Sequence, residues 1–206
     1  MLKRQYTALR QFYGSDFRHD LIMTTAAFGA LVLISFFAGF FMPDLANNMV
    51  EQFIQQLADL GVQEADGSIS AMMLFANNMR AMIVSVCYGF IPFIRLPALS
   101  LGLNSVLLGL FAAYYVHNGF SLLAYLAGIL PHGIFELPAL VISLSCGLHL
   151  CRCITDSIRS KEKKNNIVGE TVKQIMRVIA FQVAPLLLAA AFVEAYITPR
   201  ILNLFL

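Results

Sequence analysis

In "ILPHGIFELPALVI", residues 129–142, His132 and Glu136 are the side chains best suited to chemistry. They lie four residues apart, so on a helix they share one face and reach each other. An imidazole beside a carboxyl can move a proton as general base and acid, and a metal ion can recruit the same pair. Pro131, Gly133 and Pro138 surround them in a run otherwise rich in Leu, Ile and Phe. An ionisable residue in such a run is a candidate functional site. The same pair also has a purely structural use, with Glu136 neutral and hydrogen-bonded to His132 or to carbonyls that the prolines free. Helix glue, a proton or ligand site, and catalysis are therefore three roles open to it.

Other groups offer less. His149, Cys151 and Cys153 form "HLCRC", but zinc sites draw four ligands from wider, paired spacings. No metal and no cofactor are expected. Cys87 and Cys146 lie in apolar runs, where a free thiol behaves as a small hydrophobe. The remaining histidines, His19 and His117, stand at segment ends, and the chain has no HExxH, GxSxG or paired-aspartate motif. No catalytic residue is assigned.

The elements that must position these groups are membrane helices. Of 206 residues, 59% are hydrophobic and only 13% charged, with a mean hydropathy of +0.73. Soluble domains carry about a quarter charged residues. Residues 22–42 form a run of 21 without a charge, close to the ~20 that cross a bilayer. The run is longer than a signal-peptide core and follows a basic segment, so it reads as a retained first span.

Charge sets the expected topology. Residues 1–20 are net +2, residues 43–80 net −4 and residues 152–177 net +4. Lys and Arg collect in short cytoplasmic loops, which places the N-terminus and 152–177 inside and 43–80 outside. Spans are then expected at roughly 22–42, 79–94, 97–116, 120–150 and 178–197, with Arg95 in a cytoplasmic turn and the C-terminus external. Residues 1–206 form a single integral membrane domain of the cell (cytoplasmic) membrane. In the external segment 44–78, Met49, Phe53, Ile54, Leu57 and Leu60 recur near helical spacing. They predict an amphipathic helix that covers the bundle, lies on the membrane or packs on a partner. Gly89 and Pro92 should make the second span short and kinked.

The run 120–150 has 31 residues, or ~46 Å as a straight helix, against a hydrocarbon core of ~30 Å. The residue before a proline is biased away from helical dihedrals, so a break at 130–131 is expected, with 120–130 a re-entrant or kinked piece. Pro138 lacks an N–H and leaves the Ile134 carbonyl unpaired. In the third span, Gly102, Ser105 and Gly109 permit close helix approach, and Asn104 can hydrogen-bond across helices to Glu136 or His132. Glu194, near the outer end of the last span, needs no special role.

At "LPALSLGLNSVLLG" followed by "ILPHGIFELPALVISLSCGL" the chain resembles the stage II sporulation protein M family of integral membrane proteins. The resemblance covers most of the chain, and its Pro-His-Gly-Ile-Phe-Glu-Leu-Pro-Ala block is specific. It implies an all-α polytopic transmembrane helical bundle without a known cofactor. It also implies a scaffold, which in spore-forming bacteria holds peptidoglycan-remodelling enzymes at the septal membrane during engulfment. Relatives with the block occur in organisms that do not sporulate. The expected function is thus a non-enzymatic membrane protein that localises cell-envelope partners. A small transporter or channel subunit with a polar site at His132 and Glu136 is the alternative, and an intramembrane hydrolase a second one. The expected partners are membrane lipid, envelope proteins such as peptidoglycan hydrolases, and further copies of the chain, with no nucleic acid.

Overall fold

A computed structural model describes residues 2–59, 70–160 and 165–202, and every regular element among them is helical. In chain order these are α1 (Leu2–Tyr13), α2 (Phe17–Phe41), α3 (Pro43–Asp59), α4 (Ala71–Cys87), α5 (Leu96–His117), α6 (Leu122–Arg159), α7 (Asn165–Val178), α8 (Ala184–Tyr196) and α9 (Thr198–Leu202). The chain is an all-α polytopic helical bundle. Residues 17–41, 96–117, 122–159 and 167–196 are long and apolar enough to cross a membrane.

The long rods run between two ends. At one end Asp20 of α2, Arg95 before α5 and Arg152 of α6 line one groove. At the other, His117 Nε2 lies 2.6 Å from the Phe40 carbonyl, and Asn118 Nδ2 donates to Asn47 Oδ1 at 3.1 Å. Helices α2 and α5 are therefore parallel and α6 runs against them. We call these the basic end and the opposite end. Outward side chains of α2 such as Leu33, Ile34, Phe37 and Phe41 are exposed and apolar, as lipid contact requires.

Helix α6 is the centre. From Ala139 to Cys151 it is buried nearly all round, with Leu144, Cys146 and Leu150 at or below 1% exposure, the pattern of a helix enclosed by others. Small residues let its neighbours approach. A Cβ on Gly147 would meet the Ser85 carbonyl at 2.7 Å and Pro97 Cγ at 2.9 Å, so α4 and α5 both cross there. A Cβ on Gly109 would meet the Val32 carbonyl and, at 2.8 Å, Phe36 N and Ser35 Cβ, which marks the α2–α5 crossing. Three of the buried hydroxyls on these faces are satisfied within their own helices: Ser35, Ser105 and Ser145 each donate to the carbonyl four residues back, whereas that of Ser143 has no partner among the described residues.

Several expectations change. No break occurs at 130–131: α6 is one helix of 38 residues with Pro131 and Pro138 inside it, and 122–130 is its first part rather than a re-entrant piece. Gly133 is likewise an interior helical residue, where a Cβ would meet Ile129 Cγ2 at 3.3 Å and Leu137 Cδ1 at 3.8 Å, both within its own helix. The physical reason is the backbone. A proline forfeits one hydrogen bond, whereas a break frees up to four N–H and four C=O groups at a depth where nothing else satisfies them. The last turns of the helix carry Arg152, Asp156 and Arg159.

The segment expected as a cytoplasmic basic loop, 152–177, is mostly the end of α6 and the amphipathic α7, which buries Thr171, Ile175 and Val178. Helix continues through a π-turn at Ile179–Val183 into α8, just ahead of Pro185, where the missing N–H loosens the ladder. Of the residues expected as the second span, 79–94, only 79–87 lie in α4, a helix of 17 residues from Ala71 that ends in a 3₁₀ turn at Tyr88–Phe90 and is not among the four helices long and apolar enough to cross. In the amphipathic segment α3 packs on α5 through Ala46 and Val50, both 0% exposed, and through Phe53, whose ring meets that of Phe111 edge-on at 5.7 Å. Met49 faces outward at 39% exposure, and the side chains of Ile54, Leu57 and Leu60 lie outside those described.

Candidate functional site

Helix α6 carries His132 and Glu136 on one face, one turn apart, in its half nearer the opposite end. Helix α8 runs toward the same end and brings up Glu194. One ligand atom each from His132, Glu136 and Glu194 lies within 4.8 Å of the others, and all three side chains are partly buried. Glu194, which looked dispensable beside the outer end of the last span, therefore joins the pair. Sequence separation hides this, because only the packing of α8 on α6 brings residue 194 next to residue 136.

Thr198, the first residue of α9, completes the arrangement. His132 Nδ1 lies 3.4 Å from Thr198 Oγ1, and that hydroxyl donates to the Val193 carbonyl at 3.3 Å. The hydroxyl can therefore accept from Nδ1, an arrangement in which Nε2 keeps its free lone pair.

His132 and Glu136 also line a cavity of about 290 Å³ between α2, α3, α5 and α6. Its walls are apolar, including Phe28, Phe53, Leu107, Phe111 and Ile129, with Asn104 as a further polar group. Asn104 shares the cavity but does not bond to Glu136 or His132. Its Nδ2 donates to the Ser100 carbonyl of its own helix at 2.8 Å, which leaves Oδ1 available to the cavity. Tyr125 donates across to the Leu108 carbonyl at 2.6 Å and ties α6 to α5 along the wall. Pro138 is exposed on another part of α6, and Pro131 is partly buried.

Residues 22–199 match the family described as Stage II sporulation protein M, a stretch that holds both the cavity and the His132–Glu136 block. The chain belongs to the stage II sporulation protein M family. It is also 31% identical over 133 residues to an uncharacterized protein of Methanocaldococcus jannaschii, a match covering 62% of this chain and 70% of that one. No solved structure matches the chain.

This family member has a second polar cluster, at the basic end, which the sequence reading missed. Asp20 Oδ2 lies 2.6 Å from His149 Nδ1 and 3.0 Å from Arg152 Nη2. The His149 ring is held edge-on by Phe12 and Phe17, each with centroids 5.6 Å away. The "HLCRC" motif points in three directions. His149 goes to Asp20, Cys151 to the Ile91 carbonyl at 3.3 Å, and Cys153 lies 3.6 Å from His149 Nε2. Nearby, Tyr13 of α1 donates to Gln182 Oε1 at 2.5 Å, and burial pushes its phenol up to about 12. The cluster knits α1, α2, α6 and the α7–α8 junction. The available signal was an aspartate just before the first apolar run, paired with a histidine and an arginine at the far end of the longest one.

The two clusters differ in chemistry. At the basic end Asp20 is matched by Arg152 and by His149, whose ring packs against those of Phe12 and Phe17. At the opposite end Glu136 and His132 face a cavity, and Glu194 stands beside them on α8. Among the described residues neither Glu136 nor Glu194 has a hydrogen-bond donor.

Proposed function

We propose that this membrane protein is a non-enzymatic assembly factor that holds cell-envelope partners, enzymes acting on peptidoglycan among them, at the cytoplasmic membrane. Family membership supports the reading, and the observation that carries it is the outward face of α3. That helix is fixed to the bundle through Ala46 and Val50 and presents Asp44, Asn48, Glu51, Gln52 and Gln55 away from it. Such a rigid polar ledge suits a partner on the outer side. In the proposed orientation Arg18, Arg95, Arg152 and Arg159 at the basic end face the cytoplasm, so that α3 and the C-terminus are external.

The test is photo-crosslinking from positions 48, 51 and 55 in native membranes, followed by mass spectrometry of the adducts. Envelope enzymes should be recovered, and position 158, exposed beyond the basic end, should not capture them. Adducts only between copies of the chain would overturn the reading. A transporter or channel subunit is the second reading, favoured by the cavity at Asn104, His132 and Glu136. Solute flux through proteoliposomes, abolished by Glu136→Gln in a normally folded protein, would establish it instead.

A further inference from the structure

The carboxyls of Glu136 and Glu194 meet across the α6–α8 interface with an imidazole between the same helices, and protein hydrogen bonds leave both acids unmatched among the described residues. Ionised carboxylates in a helix bundle are costly unless a counter-charge accompanies them. We propose that His132, Glu136 and Glu194 form a binding site for one divalent transition-metal cation of the Zn²⁺ class. The inference is independent of the assembly role.

Four observations carry it. The donor atoms are within 4.8 Å of one another. Ligands at ~2.0–2.2 Å from a tetrahedral zinc lie roughly 3.4 Å apart, so small side-chain rotations close the set. The charge also balances: two carboxylates with a neutral imidazole are matched by a dication, whereas a monovalent ion leaves one negative charge. Thr198 stands where its hydroxyl can accept from Nδ1 of His132, which leaves the Nε2 lone pair for a metal. Holding the non-ligating nitrogen in this way is the usual outer-shell device at metal-bound histidines.

The fourth is the cavity of about 290 Å³ that reaches His132 and Glu136. Three protein ligands and one position open to water is the arrangement of an accessible zinc site rather than a closed structural one. The Oδ1 atom of Asn104 on the cavity wall can hold that water. Mixed imidazole and carboxylate donors favour first-row transition ions, whereas Mg²⁺ prefers an all-oxygen octahedron.

The experiment uses the full chain in detergent, with Cys87→Ser to remove the exposed thiol, stripped with chelator and titrated with ZnCl₂. About one zinc per chain should survive gel filtration, and its X-ray absorption spectrum should show nitrogen and oxygen ligands without sulfur. Glu194→Gln should weaken binding at least tenfold, and Thr198→Val by roughly 10–100-fold, as for other outer-shell losses. MgCl₂ at the same concentration should neither bind stoichiometrically nor raise the melting temperature. Absence of stoichiometric zinc in the folded protein, sulfur in the absorption spectrum, or unchanged affinity in a folded Glu194→Gln variant would each overturn the proposal. The absorption measurement needs no substitution at the site, so a variant that fails to fold does not shield it.

Discussion

Substituting Gly109 with alanine tests the packing of α2 on α5 directly. A Cβ there would sit 2.8 Å from both Phe36 N and Ser35 Cβ and closer still to the Val32 carbonyl, where ordinary contact begins near 3.4 Å. These are backbone atoms or the stem of a short side chain, so a rotamer change cannot relieve the clash. The two helices must separate by about 0.6 Å or more, and a gap of 0.5–1 Å forfeits a quarter to a half of each contact's attraction, itself ~0.1–0.2 kcal/mol. Over several dozen atom pairs along the seam the loss is about 1–3 kcal/mol, in the range of overpacked cores. For a chain of this size that lowers the melting temperature by roughly 3–10 °C. The control lies on the same helix: a Cβ on Gly102 meets nothing within 4 Å. Gly102→Ala should be neutral or stabilising by about 0.5–1 kcal/mol, through helix propensity alone. Because the chain has no tryptophan, melting is best followed with a thiol-reactive fluorophore in a Cys87→Ser background, where the buried Cys146 and Cys151 report unfolding. Equal melting temperatures for Gly109→Ala and Gly102→Ala would refute the close crossing.

Two further substitutions probe the same structure. Pro138→Ala restores an N–H for the Ile134 carbonyl within a continuous α6, so the variant should fold and melt at or above the parent temperature; misfolding would show that the proline shapes the helix. Asp20→Asn leaves the buried His149 and its neighbour Arg152 without their carboxylate. Losing one member of a buried ionic cluster costs about 3–5 kcal/mol, and the part-exposed Arg152 reduces this to about 2 kcal/mol or more. The thiol-labelling melt should fall by several degrees, and no change would mean that the cluster contributes nothing.

Much of the fold was legible because a bilayer punishes unpaired backbone. Uncharged runs of about twenty residues have to be helices, and the runs at 22–42 and 97–116 became α2 and α5 within a few residues. In the 120–150 run both the bilayer thickness and Pro131 argue for a break, yet neither outweighs a ladder of backbone hydrogen bonds, and α6 stays whole. The segment 152–177 looked like a loop because its charges mask the stripe of Thr171, Ile175 and Val178 that α7 buries.

The sites divide along the same line. Sequence alone determined that His132 and Glu136 share a helix face, since a spacing of four on a helix permits nothing else. It also determined the membrane setting and the family. Only the tertiary structure decided which groups meet them. Asn104 reached the cavity but bonded within its own helix, whereas Glu194, 58 positions beyond Glu136, arrived beside it, and Asp20 found His149 across 129 positions. Those meetings depend on how α8 and α2 pack against α6. Helix periodicity is local and visible in one chain, but the angle and register at which two helices cross are properties of both surfaces together.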